Sequence, residues 1–244
     1  MQHQSSYQVA RAEFVPIAGG KRGYYAVPQG DGPFPGVLVY QEAFGINGYM
    51  ESEVRRLAEH GYAAIAPDLF DGETFSYDQF DKVMPKLQTM TDDVQLGYVK
   101  AALAFLDGEA NVTHDAYGAV GFCMGGRLAF LTSVTYGEKI AAASSFYGGG
   151  IAPDQPRHFK PLLDRVPDVK GELLLNYGAD DEGITPQEHA RLAEALSREK
   201  KRYTLSVYPG APHGFASVDR PSYRRDQAET AWAETLALFD RTLR

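Results

Sequence analysis

The stretch 118-GAVGFCMGGRLAF-130 decides the fold prediction. An apolar run from Gly118 to Phe122 is compatible with a strand, and Cys123, a glycine pair and a helical pattern follow it. Strand, tight turn and helix, with glycine two residues before and two residues after Cys123, form the pattern of a nucleophile elbow with cysteine in place of serine. Glycines suit these positions because a sharp turn brings them together, where side chains would clash.

Cys123 is the only cysteine of the chain, and two interpretations compete for it. A lone cysteine is often a small buried hydrophobe that packs like alanine. The glycine spacing and the strand-to-helix context favour a nucleophile instead. The turn points the thiol at a helix N-terminus, whose free N–H groups stabilise a thiolate. We therefore predict that Cys123 is catalytic.

The composition is that of a globular protein of 244 residues, with 44% hydrophobic and 23% charged residues. The formal net charge of −8 makes the surface acidic, so we expect no nucleic-acid partner. One cysteine permits no internal disulfide. The start, MQHQSSYQVARAEF, has no apolar core of signal-peptide length, and no apolar run approaches about 18 residues. We expect a cytoplasmic protein without a membrane partner, as a monomer or a small homo-oligomer.

Apolar runs of strand length alternate with segments of helical periodicity along the chain. Several of the apolar runs do not alternate with polar residues, which is typical of strands covered on both faces. From about residue 36 onwards, this alternation predicts a single α/β domain over residues 1–244, with a mostly parallel, doubly wound sheet and helices on both faces. The strand candidates are 22–28, 36–41, 62–67, 117–122, 140–147, 172–177 and 203–209, and the helix candidates are 49–60, 93–107, 124–134, 187–199 and 224–240.

Three segments depart from this alternation. The first two strand candidates precede any helix, so we expect them to form an antiparallel N-terminal edge. Residues 1–8 are predicted to be flexible. The segment 70–93 is polar and irregular for its length. A long insertion after the carboxyl end of a strand often covers a binding crevice, although a solvated loop with a short helix fits the same pattern.

A cysteine nucleophile needs a base, and the base needs an acid that orients it. His213 lies in the turn 209-PGAPHGF-215, directly after a strand candidate, where loops line the crevice at the carboxyl edge of a sheet. The remaining histidines are predicted to be exposed to solvent. They are His3, His60, His114, His158 and His189.

Two adjacent aspartates, Asp180 and Asp181, follow another strand candidate in 177-YGADDEGITP-186 and compete for the role of the acid. With either of them, the order nucleophile, acid, histidine along the chain is that of the α/β-hydrolases. Signals at the ends of three strand candidates therefore support one another.

Together these residues resemble the dienelactone hydrolases, also called carboxymethylenebutenolidases. The resemblance covers nearly the whole chain from about residue 20, and it implies an α/β-hydrolase fold without metal or cofactor and a small ester or lactone as substrate. The segments that carry it are 40-YQEAFGINGYM-50, 60-HGYAAIAPDLF-70, 120-VGFCMGGRLAF-130, 146-FYGGG-150, 177-YGADDEGITP-186 and 209-PGAPHGF-215.

The resemblance also implies roles for single residues. It implies a triad of Cys123, Asp181 and His213, with Asp181 favoured over Asp180 because the family's acid lies three residues after the strand-ending Gly178. It implies that Glu42 contacts the thiol and moves away when substrate binds.

Further positions follow from the same resemblance. The backbone N–H groups of Ala43 and Met124 would form the oxyanion hole. Phe44 and Tyr147 match positions near the substrate pocket, although both could equally be ordinary core aromatics.

The sequence departs from the family at one expected substrate contact. The best-known members have an arginine four residues after the catalytic histidine, which binds the carboxylate of the substrate. Ser217 occupies that position here, and the next arginine is Arg220. Lys82 and Lys86 are the only cations in 70–93, where a second such arginine would lie. The fold and the nucleophile therefore carry over better than the dienelactone substrate does.

The sequence thus predicts a cysteine-dependent hydrolase of small esters or lactones that works through a thioester. Two alternatives remain open: a broad-specificity carboxylesterase, and a non-catalytic thiol that senses oxidants or binds a ligand on a hydrolase scaffold. The sequence contains no H-E-x-x-H, G-x-x-x-x-G-K-[ST] or dinucleotide-binding glycine pattern, so we expect no metal and no cofactor.

Overall fold

A computed structural model describes residues 7–155 and 158–244. Its strands form one eight-stranded sheet in the order β1-β2-β4-β3-β5-β6-β7-β8. The strands are β1 (Val9–Ile17), β2 (Lys21–Pro28), β3 (Phe34–Tyr40), β4 (Ala63–Pro67), β5 (Val112–Phe122), β6 (Ile140–Phe146), β7 (Glu172–Gly178) and β8 (Tyr203–Tyr208). The helices are α1 (Gly48–Glu59), α2 (Phe80–Thr89), α3 (Asp92–Gly108), α4 (Met124–Thr135), α5 (Pro186–Arg198) and α6 (Arg225–Leu243), with a short 3-10 helix at Leu163–Asp168.

The predicted mostly parallel, doubly wound sheet is confirmed. Strands β4, β3, β5, β6, β7 and β8 run parallel to one another, and each strand candidate of the sequence overlaps one of the observed strands. Helices cover both faces. On one face Arg56 of α1 bonds to Glu229 of α6 and lies over Trp232, and on the other face α3 packs against α4.

The antiparallel N-terminal edge is present, but its composition was predicted wrongly. It consists of β1 and β2, whereas the strand candidate 36–41 overlaps β3, which is parallel to both β4 and β5 in the middle of the sheet. Every residue of β3 is buried, as suits a central strand. Strand β1 was missed because most of its side chains are at least partly exposed, which leaves little hydrophobic signal.

Two other segments bear on the sequence predictions. The segment 70–93 contains helix α2 and the start of α3. Residues 1–6 lie outside the described residues, while the N–H of Tyr7 bonds to the carbonyl oxygen of Glu59 and the carbonyl of Gln8 accepts from Gln29. No helix in the described part of the chain is both long and apolar enough to span a bilayer.

Candidate active site

The strand-to-helix turn at Cys123 has the geometry that its glycines predict. Cys123 has φ 56° and ψ −116°, a strained conformation for a residue with a side chain. A Cβ on Gly121 would lie 1.9 Å from the carbonyl oxygen of Gly125. A Cβ on Gly125 would lie 2.3 Å from the carbonyl oxygen of Tyr40. Neither position accepts a side chain, so the turn requires both glycines.

The loops after β7 and β8 bring two further predicted residues to Cys123. His213 Nε2 lies 3.1 Å from Cys123 Sγ, and His213 Nδ1 lies 2.7 Å from Asp181 Oδ2. The other oxygen of Asp181, Oδ1, accepts hydrogen bonds from the N–H groups of Gly183 and Ile184, at 2.8 and 3.2 Å. These bonds fix the buried carboxylate in the orientation that meets the imidazole.

The neighbouring Asp180 takes no part in this contact chain. Its side chain is exposed, and its backbone N–H bonds to the carbonyl oxygen of Ala211. The structure thus brings Asp181, and not Asp180, to His213. A one-residue step along a tight turn points consecutive side chains in different directions, which is why the sequence alone offered two candidates.

The environment of His213 favours the imidazolium form. Burial by itself would lower the pKa of His213, but the Cys123 sulfur at Nε2 and the Asp181 carboxylate at Nδ1 outweigh it and raise the pKa to about 10. The imidazole is therefore placed between two groups that stabilise its charge when each is ionised.

Glu42 follows β3 and is bound by two side chains. Its carboxylate is buried; Oε1 accepts a hydrogen bond from Arg220 Nη1 at 3.1 Å, and Oε2 accepts one from the Tyr77 hydroxyl, also at 3.1 Å. Burial raises the pKa of Glu42, and the adjacent Arg220 opposes that rise. Glu42 thus lies at the site with Arg220 and Tyr77 as its hydrogen-bond partners, whereas the resemblance implied a contact with the thiol.

A cavity of about 560 Å³ opens beside Cys123 and His213. Ala43, Met124 and Tyr147 line it. Met124 is the first residue of α4, so its N–H belongs to the helix turn that has no intrahelical acceptors. Phe44 is buried beside the cavity and packs against Tyr77 at a ring distance of 4.7 Å, but it is not among the lining residues.

The predicted exposure of the other histidines is wrong for His189. It is buried, and its ring stacks on Tyr177 with ring centroids 4.2 Å apart, because this face of α5 packs against the sheet. Of the others, His114 and His158 are exposed, His60 is half-buried, and His3 lies outside the described residues. Across residues 7–155 and 158–244, no cluster of three or more His, Cys, Asp or Glu side chains is arranged to hold a metal ion.

Comparison with known proteins assigns the chain to a family. The family model described as "Dienelactone hydrolase family" matches residues 22–243. The chain belongs to the dienelactone hydrolase family. It is a hydrolase of that type, and its eight-stranded sheet is that of the α/β-hydrolase fold.

Two curated relatives are similar to this chain over most of its length. A protein of Synechocystis sp. named "Putative carboxymethylenebutenolidase" is 30% identical over 228 residues, covering 91% of this chain and 92% of the relative. One of Methylorubrum extorquens with the same name is 32% identical over 212 residues, covering 86% and 72%. A solved structure from Klebsiella pneumoniae, titled as a "Putative Dienelactone Hydrolase", superposes with a TM-score of 0.80 at 28% identity over 97% of this chain and 99% of that one.

The sequence does not predict the two residues that bind Glu42. Tyr77 lies in the irregular segment 70–93, and its hydroxyl touches Ser217 Oγ at 2.9 Å as well as Glu42. In the sequence, Arg220 is distinguished only as the first arginine after His213. No spacing rule links either residue to Glu42, and only the folded chain places them together.

Proposed function

We propose that this hydrolase cleaves small carboxylic esters or lactones with Cys123 as the nucleophile. The observation that carries the proposal is the unbroken contact chain from the buried Asp181 carboxylate through His213 to the Cys123 sulfur, at distances of 2.7 and 3.1 Å. This chain ends at the wall of a cavity large enough for a small molecule. Nucleophile, base and orienting acid are the groups that covalent acyl transfer requires.

In the first step the Cys123 thiolate attacks the carbonyl carbon of the substrate. The backbone N–H groups of Ala43 and Met124 hydrogen-bond to the oxyanion as it forms. When the tetrahedral intermediate collapses, the C–O bond to the alcohol breaks, and the imidazolium of His213 gives its Nε2 proton to the leaving oxygen. The products are the free alcohol, or the opened enol of a lactone, and a thioester on Cys123.

In the second step water cleaves this thioester. His213, now neutral, takes a proton from water at Nε2 while the hydroxide adds to the thioester carbonyl. Collapse releases the carboxylic acid and returns Cys123 as the thiolate beside the imidazolium. Asp181 stays ionised throughout and holds Nδ1–H, which keeps Nε2 directed at the reacting atoms.

Glu42 has a supporting role in this proposal. Because Arg220 and Tyr77 bind its carboxylate, the thiolate has the His213 imidazolium as its ionic neighbour, which suits the activated pair. Tyr147 forms the wall of the cavity against His213, with ring centroids 5.1 Å apart. Helix α2 contributes Phe80 and Leu87 to the lining, which supports the prediction that 70–93 covers the site. The cytoplasmic location and the oligomeric state stay predictions.

The direct test follows acyl transfer on Cys123 by intact mass. We expect wild-type protein treated with 4-nitrophenyl acetate to gain one acetyl group transiently, with release of 4-nitrophenol, and Cys123→Ala to show neither. Cys123→Ser is the matched control, because it keeps a nucleophilic oxygen of similar size at the same turn. If Cys123→Ala hydrolysed the ester at the rate of the wild-type protein, the proposed mechanism would be refuted.

The second candidate is a thiol that senses oxidants. It has support from one observation: Cys123 is a free, partly exposed cysteine whose sulfur contacts His213. The same mass measurement separates the two functions. A sulfenic acid or a mixed disulfide on Cys123, without any acyl adduct from ester substrates, would favour the sensor.

A further inference from the structure

The cavity beside Cys123 has a charge pattern that bears on the class of substrate. We infer that the site takes an uncharged ester with a branched or aromatic apolar group, and that it discriminates against substrates bearing a carboxylate. The inference rests on the proposed function, since it concerns the substrate of the same nucleophile.

The walls of the cavity are mainly apolar. Its apolar lining includes Phe80 and Leu87 of α2 together with Phe159, Ile184 and Tyr147. Phe80 is 56% exposed although it is large and apolar. When an apolar substrate group binds against an exposed aromatic ring, the ring and the group both lose contact with water, which favours binding. The volume of about 560 Å³ lies within the range of about 300–1,000 Å³ that is common for small-molecule sites.

The one arginine in the described lining is already neutralised. Arg127 is 1% exposed, and Asp92 binds its guanidinium with both carboxylate oxygens, at 2.6 and 3.2 Å. The same guanidinium donates to the carbonyl oxygen of Lys160 at 2.6 Å and lies 4.7 Å above the Phe159 ring. A substrate carboxylate would have to displace Asp92 to form an ion pair there, so Arg127 serves as a wall of the cavity.

Arg220 also has a carboxylate partner within the protein. It is outside the described lining of the cavity, and its Nη1 binds the buried carboxylate of Glu42. If Arg220 turned to a substrate anion, Glu42 would be left as a buried charge without its cation, which is strongly unfavourable. The pairing with Glu42 therefore opposes its use as a carboxylate receptor.

The lining of the cavity also carries negatively charged side chains. Asp180 and Glu182 line it, both side chains are exposed, and neither has an ion-pair partner among residues 7–155 and 158–244. With the net charge of −8, they create a negative potential along the path of an approaching substrate. An anionic ester would meet this repulsion without a free cation in the described lining, whereas a neutral ester would not.

A matched pair of 4-nitrophenyl esters tests the inference. The 4-methylpentanoate and the hydrogen succinate have the same leaving group and nearly the same acyl shape, but only the succinate carries a carboxylate. We expect kcat/KM for the neutral ester to be at least about tenfold higher at near-neutral pH, after subtraction of each uncatalysed rate. Equal values, or a preference for the succinate, overturn the inference and leave the proposed function standing. Absence of Cys123-dependent turnover of both esters overturns the proposed function and the inference with it.

Two variants connect the preference with the residues that carry it. Phe80→Ala should lower kcat/KM for the 4-methylpentanoate relative to the acetate by about fivefold, since apolar contact is lost. Met84→Ala is the matched control, because Met84 is an exposed apolar residue of the same helix, 39% exposed, outside the described lining. Glu182→Gln should narrow the ratio of neutral to anionic ester by about threefold. If Phe80→Ala and Met84→Ala have equal effects, or if Glu182→Gln leaves the ratio of neutral to anionic ester unchanged, the inference about the substrate is overturned.

Discussion

Replacement of Arg220 by methionine should destabilise the protein, because it leaves the buried Glu42 carboxylate without a cation. The Glu42 side chain is 1% exposed and Arg220 is 19% exposed, and their charged atoms lie 3.1 Å apart. Methionine keeps an unbranched apolar stem against Phe44 and Tyr77, whose rings lie 5.6 and 5.1 Å from the guanidinium. The change therefore removes mainly the positive charge. Removal of one partner from a buried ion pair lowers the free energy of unfolding by about 3–5 kcal/mol. Because Arg220 is partly exposed, we expect a loss of about 3 kcal/mol.

The pH dependence of this loss has a defined sign. Burial already raises the pKa of Glu42 above its usual value of 4.5, and Arg220 opposes that rise. Without Arg220 the folded-state pKa of Glu42 rises further, so the folded variant holds a proton that the unfolded chain releases. The free energy of unfolding of Arg220→Met should then fall, relative to wild type, as the pH rises above 4.5. Below that pH the carboxyl group is protonated in both states, and the difference contributed by Glu42 should disappear.

Urea unfolding of a double-mutant cycle measures this effect. Glu42→Gln keeps a group that can accept from Tyr77 but removes the charge, so Glu42→Gln/Arg220→Met should be more stable than Arg220→Met alone, with a coupling of about 2 kcal/mol. The measurements are made near pH 5 and near pH 8, where the loss should be small and large, respectively. A loss below about 1 kcal/mol in Arg220→Met at pH 8, or a double variant no more stable than Arg220→Met, would refute the reasoning.

Three further changes follow from the contacts. Asp181→Asn should lower kcat for 4-nitrophenyl acetate by about 10²-fold or more, because His213 Nδ1 loses its anionic partner. The kcat of the control variant Asp180→Asn should stay within about threefold of wild type. The reverse order of effects would assign the acid role to Asp180. Burial raises the pKa of Glu53 from 4.5 to about 8. The free energy of unfolding of wild type should therefore fall between those pH values, by up to about 1.4 kcal/mol per pH unit. In urea unfolding, Glu53→Gln should show a smaller dependence of this free energy on pH. Glu188 Oε1 accepts from the N–H groups of Gly150 and Ala152 in the loop that lines the cavity, so Glu188→Ala should raise KM more than it lowers kcat, and Glu188→Gln, whose amide oxygen can accept the same bonds, should restore KM.

The turn at Cys123 could be predicted because its constraints are local. A strand that passes into a helix within one residue brings Gly121 and Gly125 into contact, and that requirement is visible as spacing in the chain. A second rule, that parallel strands end at one edge of a sheet, predicted His213 and the pair Asp180 and Asp181, while the preference for Asp181 came from the family resemblance. Both rules need only the order of elements, which apolar runs and helical periodicity reveal.

Features that depend on tertiary surroundings could not be predicted in this way. Strand β1 pairs with β2 at the edge, and its mostly exposed residues give no clear period. His189 is polar in sequence but stacks on Tyr177 inside the protein, and nothing in the helical pattern distinguishes it from an exposed residue. Helix α2 contains Pro85 and has a single buried residue, Val83, so its apolar periodicity was too weak to separate it from a loop.

The arginine after His213 shows why spacing is a poor guide to a charge requirement. Position 217 holds a buried serine, yet Arg220 brings its guanidinium to Glu42 from three residues further along the chain. Tight turns make this possible, since Ser217 N–H bonds to Gly214 O and Arg220 N–H bonds to Ser217 O. A long side chain on such a coil can serve a buried carboxylate from more than one position. Because Glu42 binds Arg220, an arginine that follows His213 does not by itself indicate an anionic substrate. We expect the exposed carboxylates of Asp180 and Glu182 in the cavity lining to have more influence on the class of substrate.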